Sequence, residues 1–127
     1  MTAWPSPGSI VSVPAYIFFR HKGIVSDRWY CGKPMVISCS ARIGHGDEEA
    51  WDVFSSGQPW QDEGYPSSRS PWEVLADARA MQGKVYNVLS WNCDMFVRAC
   101  HGLPVTSPQL TIALVAVAAG VAFAVSR

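Results

Sequence analysis

The chain has 127 residues, 49% of them hydrophobic, with ten Lys and Arg against ten Asp and Glu for a formal net charge of zero. That length supports one domain with a real core, and the charge balance, without a basic run interleaved with aromatics, excludes nucleic acid as a partner. Four cysteines are present, but there is no C-x-x-C, and Cys31, Cys39 and His45 follow no recurring zinc spacing, so neither a metal nor another cofactor is expected.

The opening "MTAWPSPGS" shows neither a basic region nor an apolar run before the first prolines. The thiols are therefore read as reduced, the protein as intracellular, and residues 1–14 as an irregular leader. "AYIFFRHKGIVSD" (15–27) is rich in aromatic and β-branched residues and predicts a strand. "RWYCGKP" (28–34) supplies turn chemistry, and "MVISCSAR" (35–42) returns as the second arm of a hairpin with a rather long loop. "GHGDEEAWDVF" (44–54) predicts a further short strand ending near Phe54, and "SSGQPWQDEGYPSSRS" (55–70) has loop composition. Ser70, Pro71 and Glu73 form a capping-box signature that starts a helix expected to run to Gln82 and stop at Gly83. "KVYNVLSW" (84–91) is apolar enough to be buried. From Leu110 to Val125 there is no charge. This run, about 25 Å long as a helix, is slightly short of a hydrocarbon core of about 30 Å. Thr111 and Gly120 offer its only polar relief, so residues 107–127 are expected to anchor the chain to a membrane rather than pack as a core helix.

The chemistry-bearing stretch is "SWNCDMFVRACHG" (90–102). Asn92 is a good N-cap and Gly102 a good stop, with Cys93, Phe96, Val97 and Cys100 on one helical face. Cys93 would then lie in the first turn, where free N–H groups and the helix dipole favour a thiolate. A nucleophilic cysteine needs a base. His101 is about two turns away and is read as complementing the helix C-terminus. His45, between two glycines, reads as a surface residue on a mobile loop. His21 follows "IFFR" on the predicted strand, and Gly23 on the same face leaves room for a helix or a substrate to approach.

His21-Lys22-Gly23-Ile24-Val25, the strand "PMVIS" after a turn, and "NCDMF" opening a late helix together resemble the lecithin retinol acyltransferase family, which includes the HRAS-like suppressor phospholipase/acyltransferases. The resemblance covers roughly His21 to Gly102. It implies an α+β, permuted papain-like (NlpC-type) fold: a small antiparallel sheet packed against helices, here followed by a C-terminal hydrophobic helix. The thiol-enzyme domain would span 15–106. Cys93 is implied as nucleophile and His21 as general base. The family's third polar residue falls on the second strand, where Ser38 aligns best and Cys39 and Ser40 are its neighbours. The animal enzymes carry histidine there, and a serine hydroxyl can hold an imidazole tautomer but stabilises an imidazolium less. The box departs as well, with Asp94-Met95 where the familiar form has Glu-His, which marks a divergent member.

The activity implied is acyl transfer through a thioester, on phospholipid or other acyl esters held near the site by a membrane anchor. Two other classes fit the residues. One is an NlpC-type thiol peptidase or amidase acting on cell-wall peptides, including one delivered as a toxin. The other is a non-catalytic, membrane-tethered interaction domain in which Cys93 is only a packed thiol.

Overall fold

Ile10–Pro14 (β1), Arg20–Tyr30 (β2), Lys33–Cys39 (β3), Gly46–Glu49 (β4) and Gln61–Gly64 (β5) form one antiparallel sheet in the order β4-β3-β2-β1-β5. The helices are Trp51–Ser55 (α1), Pro71–Ala80 (α2), Cys93–Cys100 (α3) and Pro108–Val125 (α4). The computed structural model describes residues 3–15 and 19–125, with side chains through 122. The architecture is α+β, a small antiparallel sheet with helices, as expected from the sequence.

The alternation of β-strand side chains splits the core between the two faces of the sheet. Ile10, Ile24, Ile37 and Cys39 pack with Val74, Leu75, Phe96, Val97 and Cys100 of α2 and α3. On the other face Val11, Val13, Val25 and Val36 pack with Trp51 and Phe54 of α1, and Trp4 and Trp60 close over them.

Several boundaries differ from the sequence reading. The leader is irregular only as far as Ser9, because "IVSV" enters the sheet as β1 despite its Pro/Ser/Gly-rich flanks. β1 takes β2 on one side and β5 on the other. The strand expected over 15–27 begins at Arg20 and runs on to Tyr30, with residues 16–18 outside the described residues. The expected long hairpin loop is only Cys31-Gly32, both at positive φ (54° and 75°), while Tyr30 pairs with Lys33. Two positive φ values are what a tight turn needs to match strand twist. β3 ends at Cys39, short of the expected Arg42.

The stretch 44–54 is not one strand. β4 stops at Glu49 and "WDVFS" turns into α1, burying Trp51 and Phe54 on the sheet. Within the supposed loop, "QDEG" adds the edge strand β5, too short and polar to announce itself. Residues 84–91 are largely exposed rather than buried: Val85, Val88 and Leu89 face solvent, Trp91 is buried, and Tyr86 packs half-buried against the same core. α2 begins as expected, with the complete Ser70/Glu73 capping box, but ends at Ala80.

α4 forms across the uncharged C-terminal run, and its described side chains beyond Leu110 are almost all exposed, so it is not a core helix laid on the sheet. Ser126 and Arg127 of the expected anchor segment lie outside the described residues. Among the described residues no helix is long and apolar enough to cross a membrane.

Candidate active site around Cys93

Asn92 caps α3 through its side-chain oxygen, which accepts from the Met95 N–H at 3.1 Å, and its amide donates to the Val88 carbonyl at 2.9 Å. The cap holds Cys93 at the first helical position, half-buried, at the end of the sheet. The Cys93 sulfur lies 3.7 Å from the Arg20 carbonyl oxygen. Pairing between β2 and β3 ends at Ile24 and Ile37. Towards Arg20 the two strands part, and β3 continues against β4 instead. The opening between them belongs to a cavity of about 490 Å³ lined by Cys93, His21, Cys39, Ser40, Arg42 and Gln109. Val13, Phe19, Val53, Val88 and Leu110 make much of its remaining wall apolar.

His21 and Cys93 reach this cavity from opposite faces of the sheet. His21 pairs with Val13 in β1 and stacks on Phe54 at 5.0 Å between ring centroids, which places it on the α1 face. Its neighbour Lys22 points the other way, to Asp94 of α3. No hydrogen bond joins His21 to Cys93 among the described residues. Gly23 does not leave the expected room for a helix or a substrate; its small size lets β3 and Phe54 of α1 pack against it. A Cβ at Gly23 would lie 2.4 Å from Val36 Cγ1 and 3.1 Å from Phe54 Cε1.

The electrostatics correct the expectation of a resting thiolate. Burial pushes the Cys93 thiol up to about 11. The backbone N–H groups of Lys22 and Asp94 and the Lys22 ammonium oppose that shift, while the Asp94 carboxylate adds to it. Desolvation outweighs the helix mouth, and Cys93 is a neutral thiol at pH 7. Burial, reinforced by the Arg42 guanidinium, lowers His21 to about 4. His21 is thus a neutral imidazole, in the protonation state that accepts a proton.

Of the candidates on β3, Ser38 is buried, opposite Asp47 of β4, and is not among the residues lining the cavity. Cys39 and Ser40 both line it. Cys39 packs in the α2/α3 core, with its thiol raised to about 11 by burial and next by Cys93. Ser40 Oγ accepts from the Ile43 N–H at 3.3 Å. His45 is exposed, as expected, though it bridges to Val85 and its Nδ1 lies 2.6 Å from the Gly46 carbonyl. His101 is not a surface charge at a helix end. It is buried between Ser67 Oγ, 2.7 Å from Nδ1, and the Gly8 carbonyl, 2.8 Å from Nε2, and its pKa is lowered by burial.

Residues after the helix complete the site, from within the segment expected to be a membrane anchor. Gln109 Oε1 accepts from the Arg20 N–H at 2.5 Å, and its Nε2 donates to the Arg20 carbonyl at 3.1 Å. Asp94, buried in the first turn of α3, accepts from Ser107 Oγ at 2.9 Å and from the Gln109 N–H at 3.2 Å. Lys22 Nζ lies 3.0 Å from Asp94 Oδ1 and 3.4 Å from Glu63 Oε1. A glutamine at the start of an apolar run was the one available signal. Among the described residues no group of His, Cys, Asp and Glu is placed to hold a metal ion. No protein-family model and no curated protein matches this chain.

Proposed function

We propose that the chain is a thiol acyl hydrolase or acyltransferase of the lecithin retinol acyltransferase type, with a permuted papain-like fold, acting on phospholipid esters. The observation that carries this reading is the capped helix mouth presenting Cys93 to a cavity that also holds a neutral His21. His21 takes the Cys93 proton as the sulfur attacks the ester carbonyl. The carbonyl π pair moves to oxygen, and the oxyanion is held by the Cys93 N–H at the helix mouth. Collapse expels the alkoxide, which takes the proton back from His21, and leaves a thioester that water or an amine resolves. A shift of the His21 ring toward the sulfur on substrate binding completes the dyad, since catalytic hydrogen bonds often tighten only in the loaded complex.

The apolar wall formed by Val13, Phe19, Val53, Val88 and Leu110 favours an acyl chain over a cell-wall peptide. α4, with Ile112, Leu114, Val115, Val117 and Val121 exposed, leaves the domain beside this wall and would hold it at a lipid surface. The test is release of fatty acid and lysolipid from phosphatidylcholine vesicles, followed by mass spectrometry. Release that Cys93→Ala abolishes is expected. Equal release by wild type and Cys93→Ala would overturn the reading.

A further inference from the structure

The mechanism leaves the oxyanion with a single donor, and the residue placed to supply another is Gln109. A primary amide carries two N–H donors. In Gln109 one is spent on the Arg20 carbonyl, the same oxygen that the Cys93 sulfur approaches at 3.7 Å. The side-chain oxygen is spent on the Arg20 N–H, so the amide lies flat against the β2 backbone as a strand partner would. Its main chain is fixed too, through the Gln109 N–H on the buried Asp94 carboxylate. The amide is therefore preorganised, lines the cavity with Cys93, and keeps one N–H with no partner among the described residues.

We propose that Gln109 Nε2 is the second oxyanion donor of this site, acting with the Cys93 N–H; the assignment rests on the acyl-transfer reading above. When the Sγ–C bond forms, the carbonyl π pair becomes the oxyanion lone pair and the free Gln109 N–H donates to it. The donor keeps its proton throughout, and the bond to Arg20 stays intact. Arg20 thus holds the donor in place from the strand that also carries the base. The first residues of α4 become part of the catalytic apparatus.

The full-length chain is assayed with p-nitrophenyl butyrate, and separately by the rate at which iodoacetamide alkylates Cys93. Alkylation uses the same sulfur but builds no oxyanion. Gln109→Met, similar in length and without donors, is expected to lower kcat by about 10²-fold or more with KM little changed. Its Cys93 alkylation rate is expected to stay within about twofold of wild type. Gln109→Glu keeps the acceptor for the Arg20 N–H and loses both donors, so it should lose kcat at least as severely.

Turnover near wild type in either folded variant, with Cys93→Ala inactive, would overturn the assignment and leave the acyl-transfer reading standing. Parallel losses of turnover and alkylation, or unfolding of both variants, would make Gln109 a structural residue and overturn it as well. Turnover that survives Cys93→Ala would mean that the acyl-transfer reading has failed, and the donor with it.

Discussion

Lys22 and Asp94 form an ion pair, with Nζ 3.0 Å from Oδ1, directly behind the candidate nucleophile. The Asp94 side chain is 2% exposed, and its other oxygen accepts from Ser107 Oγ and the Gln109 N–H. One carboxylate thus ties β2, α3 and the start of α4 together. The Lys22 pKa is raised even though burial, the largest single influence, acts to lower it; hydrogen bonding to Asp94 and the charges of Asp94 and Glu63 prevail.

Removing one member of a buried pair strands the other, at a cost of about 3–5 kcal/mol. Lys22→Met leaves the buried Asp94 carboxylate without a cation and is expected to lose stability on that scale in urea unfolding, whereas Asp94→Ala leaves Lys22 its second partner, Glu63. Lys22→Met combined with Asp94→Leu should recover part of the loss, because no unpaired carboxylate is then left buried. If the double variant is no more stable than Lys22→Met, the ion pair is not the source of the cost.

The lowered pKa of His21 has a pH signature with a definite sign. Its folded value of about 4 lies below the ordinary 6.5, so the fold favours the neutral ring. This contribution to stability is present above pH 6.5 and is lost as the pH falls from there towards 4, where the unfolded chain binds a proton that the folded chain resists. For catalysis, kcat/KM should hold level from pH 7 to about 5 and then fall as the base is protonated. Arg42→Gln should raise the His21 pKa only part of the way to 6.5, because burial is the larger cause. Titration of the imidazole by NMR checks both statements, and a His21 pKa near 6.5 in the wild-type chain would refute them.

The three candidates of the base side should separate in activity. His21→Ala removes the proton acceptor and is expected to cost about 10²–10⁴ in kcat/KM. Ser40, in the cavity wall, is expected to matter less, and Ser38, away from that wall, least. Steady-state kinetics of the three alanine variants test the order. A Ser38→Ala loss equal to that of His21→Ala, with folding intact, would place the orienting group back on Ser38.

What was legible in the sequence follows from the range of the interactions that carry each feature. The starts of α2 and α3 were readable because Ser70 with Glu73, and Asn92, satisfy N–H groups three residues away. β1 and β5 were not, because each is short and held by a partner strand that local composition does not reveal. That Cys93 and His21 line one cavity was anticipated through the resemblance; that they enter it from opposite faces of the sheet, with no hydrogen bond between them among the described residues, was not. Their protonation states were not, because burial is a tertiary property and here opposes the dipole argument made for Cys93. Gln109 was hidden for the same reason: its partner, Arg20, is 89 residues distant along the chain.

The C-terminal helix supplies the last prediction. Its link to the domain runs through Ser107, Gln109 and Leu110, which meet Asp94, Arg20 and the cavity wall. Beyond them, residues 111–122 are exposed apart from a half-buried Ala113. Its 18 residues reach about 27 Å, slightly short of a hydrocarbon core of about 30 Å. Insertion from one leaflet needs no such span. Each large apolar side chain taken out of water contributes about 1.5–3 kcal/mol, so burying the exposed Ile112, Leu114, Val115, Val117 and Val121 in a lipid surface would favour association. A chain ending after Leu110 keeps the contacts of Gln109, so it should unfold cooperatively with nearly unchanged stability and retain turnover on a soluble ester. It should no longer sediment with phosphatidylcholine vesicles, and its activity on lipid should fall with its binding. Aggregation or loss of the cooperative transition would instead mean that α4 stabilises the domain, and vesicle binding that survives the cut would move the membrane contact elsewhere on the protein.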